Sequence, residues 1–142
     1  REIYLPGYEI AVKEAQPWTV MCAYNKLNGI YCCEHPWLLT EILKGQWGHT
    51  GLVVTDWGAM NDRVDALAAG LELEMPGSNS GNDELIVAAV ESGELDEIVL
   101  DQAVERILVL IVVEPRHEQE GQDGHDGHAH HRRDQDLAVA AL

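Results

Sequence analysis

Short apolar runs alternate with amphipathic ones along this chain, and the alternation predicts its elements. Trp18 to Tyr24 ("WTVMCAY") reads as a strand, and Pro36 to Gln46 places Leu38, Leu39, Ile42 and Leu43 at helical spacing behind a proline suited to a first helical turn. Leu52 to Thr55 is a second strand. Behind it, "MNDRVDALAAG" sets Val64, Leu67 and Ala68 on one face, with Gly70 placed to close the helix. Leu71 to Met75 alternates apolar and acidic residues before the Pro76-Gly77 turn, and "NDELIVAAVESG" follows with an acidic first turn, an apolar stripe and a closing glycine. A helix over about Pro6 to Ala15 precedes the first strand, and another over about Asp96 to Ile111 ends near Pro115.

Strands that alternate with helices about every 25 to 30 residues imply parallel pairing through right-handed crossovers, in a doubly wound sheet or a (β/α) barrel. About three such units cannot close a barrel. A three-stranded parallel sheet leaves two open edges and is seldom this small, so the expectation is an α/β fold that forms part of something larger.

Composition adds limits. With 142 residues, 46% of them hydrophobic, the chain can bury one core. A formal net charge of -16 opposes polyanionic partners, so neither nucleic acid nor an anionic membrane is expected. No run reaches the roughly 18 apolar residues of a membrane span, and no signal-peptide pattern opens the chain; a soluble, cytoplasmic protein is expected. Cys22, Cys32 and Cys33 form neither an even disulfide framework nor a spaced metal cluster, which favours reduced thiols. From Arg116 to Asp136 the sequence holds five of the seven histidines, six acids and no large apolar side chain, so residues 114–142 are expected to be a linker or disordered tail. His125, His128, His130 and His131 could converge on a divalent metal, but nothing fixes their geometry, and no metal site or cofactor is assigned.

The chemistry gathers at the ends of the strands. In parallel α/β folds, ligands collect where the carboxyl ends of strands open into a common mouth, and Asp56 in "GLVVTDWGAMND" ends its strand there. It could equally cap the following helix. Tyr24 and Asn25 end the preceding strand and Glu74 and Met75 the following one, so three strands deliver polar groups to one rim. A carboxylate can attack an anomeric carbon, a phenol can hold that carboxylate, and an indole can stack on a pyranose. Asp56, Tyr24 and Trp57 suit these roles, although each also has a plain structural use as cap, core residue or packing surface.

The segments "REIYLPGYEIAVKEAQPWTVMCAYNKLNG", "WLLTEILKGQWG", "GLVVTDWGAMNDRVDALAAGLELEMPG" and "LDQAVERIL" together resemble consecutive parts of the family 3 glycoside hydrolases, specifically their β-glucosidases. The resemblance runs from Arg1 to about Val113. It implies the C-terminal portion of a TIM-type (β/α) barrel over residues 1–113, and a linker after it to a further domain. It also implies Asp56 as catalytic nucleophile, Tyr24 as the residue that orients it, and Met21, Trp57 and Glu74 as substrate contacts. The substrate class would be a β-glucoside or cello-oligosaccharide, hydrolysed with retention through a glycosyl ester and without a cofactor. The family's other sugar-binding residues and its acid/base glutamate have no counterpart in these segments. Glu34, Glu72 and Glu74 are the nearest carboxylates, and none occupies the acid/base position, so the remainder of a longer polypeptide is needed and the chain alone is expected to be inactive. His49 stands where the family has an aromatic residue, usually Phe. Two other classes stay open: a phospho-acceptor domain, which lacks its acidic pair and lysine here, and a non-catalytic carbohydrate- or metal-binding remnant.

Overall fold

The computed structural model describes residues 1–77, 81–113 and 139–141. Helix α1 (Leu5–Ile10) continues through a wider turn, Ala11–Ala15, and leads to strand β1 (Thr19–Cys22). A hairpin of β2 (Lys26–Leu27) and β3 (Ile30–Tyr31) follows, then a 3-10 turn, Cys32–Glu34, and a π-helix, Trp37–Gln46. Strand β4 (Leu52–Thr55), helices α2 (Arg63–Ala69), α3 (Asn82–Ser92) and α4 (Glu97–Val113), and strand β5 (Val139–Ala141) complete the order. The fold class is α/β, as expected from the alternation.

β1 and β4 pair in parallel, Thr19 opposite Leu52 through Cys22 opposite Thr55. Val20 and Cys22 of β1 and Val53 of β4 meet Leu38, Leu39, Ile42 and Leu43 of the π-helix in the main core. Those three leucines and one isoleucine sit where the apolar pattern placed them, but the helix winds wider than an α-helix: the Trp47 amide reaches back five residues to Ile42 O at 2.9 Å. A second cluster joins Leu67 to Ile86, Ala89, Leu95 and Ala103, packing α2, α3 and α4 together.

Several expectations change. The first strand is shorter than Trp18–Tyr24 because the chain turns into the β2–β3 hairpin, whose Asn28-Gly29 corner holds both residues at positive φ, 51° and 90°. Asn-Gly is the sequence most suited to that turn, and "LNGI" carried the signal. The expected strand Leu71–Met75 is reduced to a single parallel bridge between Leu73 and Val54. Its other side has no strand among the described residues, so nothing holds the rest of the segment in a ladder. On α2 the buried positions are Arg63, Ala66, Leu67 and Ala69, while Ala68 faces solvent. The three cysteines are not all thiols: Cys22 and Cys33 are joined by a disulfide, with their Cα atoms 5.4 Å apart, and Cys32 is free and buried. The hairpin between them folds back on itself, which brings two cysteines eleven residues apart into bonding range. Of the tail expected over 114–142, Val139–Ala141 runs parallel to β1 on the side away from β4. The four histidines of "HDGHAHH" lie outside the described residues.

Gly51, just before β4, lies tight against the backbone that leads into β1. A Cβ on it would lie 2.0 Å from Trp18 O and 2.9 Å from His49 Cε1, so an alanine must push backbone apart at the start of β4. Gly51→Ala is expected to lower stability by about 1–3 kcal/mol or more, by the cost of forcing extra volume into packed surroundings. Urea denaturation checks it, and an unchanged midpoint would contradict the close approach.

At this same end of the strands lies a buried ionic cluster. Glu72, 5% exposed, takes the Val53 amide at 2.6 Å on Oε2 and an ion pair from Lys44 on Oε1, with Arg106 Nε 3.5 Å away. Lys44 also donates to Gly70 O at 2.6 Å, and Arg106 to Thr50 O at 3.0 Å. The cluster therefore ties β4, α4, the π-helix and the segment after α2 at one place. Beside it, His49 is 5% exposed, with its Nε2 3.3 Å from Leu52 O. Burial, the largest influence, pushes the His49 pKa below the ordinary 6.5, with the Leu52 carbonyl pulling the other way. The unfolded chain then binds a proton that the folded chain resists, so stability is fully present above the unfolded value and declines as pH falls below it. His49→Phe is expected to remove that decline. Thermal midpoints of both proteins at pH 7.5 and 5.5 test it, and parallel losses in the two would count against the assignment.

Candidate active site

Two strands end side by side and set the geometry. The ladder continues one residue past β4, where the Asp56 amide donates to Cys22 O at 3.0 Å, so Asp56 leaves the sheet level with the end of β1. Thr55, 2% exposed, faces the other way in side-chain contacts: its hydroxyl donates to Met75 O at 3.0 Å and accepts from the Met75 amide at 2.7 Å. The Gly58 amide also donates to Met75 O, at 2.9 Å. The segment Leu73–Met75 is thereby stitched to the strand end that carries Asp56.

Asp56 is half-buried and does not cap the next helix. Its Oδ1 accepts the amide of Trp57 at 2.6 Å, whereas Asp62 is the N-cap of α2 and accepts from Val64 and Asp65 at 2.9 and 3.0 Å. The capping role that sequence alone left open for Asp56 belongs to Asp62, six residues on.

Tyr24 stands next to it. Its hydroxyl donates to Trp57 O at 2.5 Å, and the phenol pKa is raised by desolvation first, then by the nearby Asp56 carboxylate. The proton is thus held on the phenol beside an acceptor oxygen. Trp57 is 63% exposed and Tyr24 53%, so two exposed aromatic residues lie next to Asp56 at the strand ends. Met21 is half-buried on β1 in register with Val54, on the strand face opposite Val20 and Cys22. Asp56, Tyr24 and Trp57 therefore come together.

Glu74 has partners within the chain. Both of its oxygens take Asn82 Nδ2 at 3.0 Å, and its charge faces Arg63, a buried residue of α2 that donates to Glu72 O at 3.2 Å. Burial pulls the Arg63 pKa down, and Glu74 is the first of the charges that oppose this. The other two nearby carboxylates are also engaged: Glu72 in the ionic cluster, and Glu34 with the amides of Asn61 and Asp62 at 2.8 and 2.7 Å. Sequence reasoning missed Arg63 and the Glu34 contact, since a buried arginine inside an amphipathic helix and an acceptor 27 residues upstream leave no periodic trace. Among the described residues no group of three histidine, cysteine, aspartate or glutamate side chains could hold a metal ion.

Comparison with known proteins gives this arrangement relatives. The model of the glycosyl hydrolase family 3 N-terminal domain matches residues 1–110. The thermostable β-glucosidase B of Acetivibrio thermocellus is 54% identical over all 142 residues, which carries the likeness through the tail that sequence reading had set apart, and the match spans 19% of that protein. An exo-α-(1→6)-L-arabinopyranosidase of Bifidobacterium breve is 47% identical over 111 residues, 78% of this chain and 14% of that protein. The structure of β-glucosidase 3B from Thermotoga neapolitana in complex with glucose superposes with a TM-score of 0.75 at 48% identity, covering 79% of this chain and 17% of that one. The chain thus spans less than a fifth of the length of these relatives, and over its first 110 residues it belongs to glycosyl hydrolase family 3, as part of the N-terminal domain.

Proposed function

We propose that this chain supplies the nucleophile-bearing part of a retaining β-glucosidase. Asp56 attacks C1 of a terminal β-D-glucosyl residue, the leaving oxygen departs with a proton from an acid outside this chain, and water then opens the glycosyl ester to release glucose. Tyr24 orients the carboxylate through its hydroxyl's hold on Trp57 O, and Trp57 offers a face to the sugar or to the group that leaves. In this reading the parallel strands and their helices are the last units of a (β/α) barrel completed by preceding sequence.

The single observation that carries it is the position of Asp56: beyond the end of parallel strand β4, beside a tyrosine, and relieved of helix capping by Asp62. The names of the relatives support a β-glucoside as substrate. Retaining hydrolysis needs a second carboxyl group about 5 to 5.5 Å from the first. With Glu34, Glu72 and Glu74 each tied to other partners, the 142 residues alone are proposed to be inactive.

The test is to incubate the longer polypeptide that contains this chain with a 2-fluoro glucoside and map the labelled peptide. An ester on Asp56 is expected, and an ester on any other residue would overturn the assignment. The 47% identity to an arabinopyranosidase favours one second reading, an α-L-arabinopyranoside in place of the glucoside. Comparing aryl β-D-glucoside with aryl α-L-arabinopyranoside as substrates separates the two.

A further inference from the structure

We infer that Glu34 is a positioning residue for the loop that carries Asp56 and Trp57; the inference rests on the nucleophile reading above. The 56–62 loop has two ends. Its front end is fixed by the Asp56 amide on Cys22 O, by the Tyr24 hydroxyl on Trp57 O and by the Gly58 amide on Met75 O. Its rear end is the entry to α2, where Asn61 and Asp62 present two consecutive amides that no helical carbonyl can satisfy. One oxygen of Glu34 accepts both, at 2.8 and 2.7 Å. A single side-chain oxygen thus ties both amides at the rear of the loop.

Glu34 is itself anchored. It follows Cys33, whose disulfide to Cys22 ties the 3-10 turn to the last residue of β1, two positions before Tyr24. Tyr24 and the rear of the Asp56 loop are therefore both referred to one covalent cross-link. A slack rear end lets Trp57 and the Asp56 carboxylate shift against Tyr24, and a misplacement of about 1 Å at a reacting group can cost a hundredfold in rate.

The experiment follows ester formation on Asp56 from a 2-fluoro glucoside in the full-length polypeptide, with the thermal midpoint recorded for each variant. Glu34→Ala is expected to slow ester formation about tenfold to a hundredfold. Glu34→Gln, whose amide oxygen can still accept both bonds, is expected to stay close to the parent rate. Glu34→Asp keeps the charge but withdraws the oxygen, and is expected to be slowed like the alanine variant; it decides the matter if Glu34→Ala does not fold. Parent-like rates in Glu34→Asp or Glu34→Ala, even with lowered midpoints, would reduce Glu34 to a stabilising contact and overturn the inference. Failure of the parent to form any ester on Asp56 would instead remove the reading beneath it.

Discussion

Asp56→Asn in the full-length polypeptide is expected to cut β-glucoside turnover by about a thousandfold or more, which is some 4 kcal/mol of barrier at about 1.36 kcal/mol per decade. The amide keeps the shape of the side chain and the acceptor for the Trp57 amide, 2.6 Å away in the native geometry. What it loses is the ability to form a glycosyl ester. Because Asp62 and not Asp56 caps α2, the same substitution is expected to change stability by less than about 0.5 kcal/mol, as ordinary surface replacements do. Asp62→Ala should do the reverse, costing about 1 kcal/mol of stability through the lost cap. Measuring kcat/KM and the urea midpoint for both variants checks the pair. If Asp56→Asn retained a tenth of the activity, the carboxylate could not be the nucleophile.

The second large effect lies at the other end of the strands. Glu72→Ala removes the carboxylate that Lys44, Arg106 and the Val53 amide share. Removing one partner of a buried ion pair typically costs about 3–5 kcal/mol, because the remaining charge stays buried without compensation. The Lys44 pKa is already lowered, first by burial and against the pull of Glu72, so without Glu72 only the unfavourable part is left. Chemical denaturation is expected to show the loss at neutral pH. The penalty should shrink in Lys44→Met/Glu72→Ala, where most of the buried charge is gone together, and equal losses in the single and double variants would show that the pair is not coupled. This cluster also explains why "LELEM" alternates as it does: Glu72 is not a solvent-facing acid but a buried one, facing α4 and the π-helix.

The two predictions divide the molecule by chemistry. Around Glu72 every polar atom named has a partner and the carboxylate is buried, which makes the region costly to disturb. Around Asp56 the aromatic neighbours are exposed and the contacts are few, so a change there is expected to touch activity and spare the fold.

Periodicity and local chemistry were enough to mark the strands at Thr19–Cys22 and Leu52–Thr55, the helices behind them, the glycine at position 70 closing α2, and Asp56 at a strand end, because each depends on residues within a few positions of one another. The choice between cap and rim for Asp56, the use of Glu74 on Asn82, the Cys22–Cys33 bond and the reach of Glu34 to Asn61 and Asp62 were settled only by tertiary structure. Each of these depends on groups far apart in the chain meeting in space, where parallel pairing of β1 and β4 sets two strand ends level. Distance along a sequence says nothing about such meetings, since it is the crossover helix between the strands that decides which side chains become neighbours.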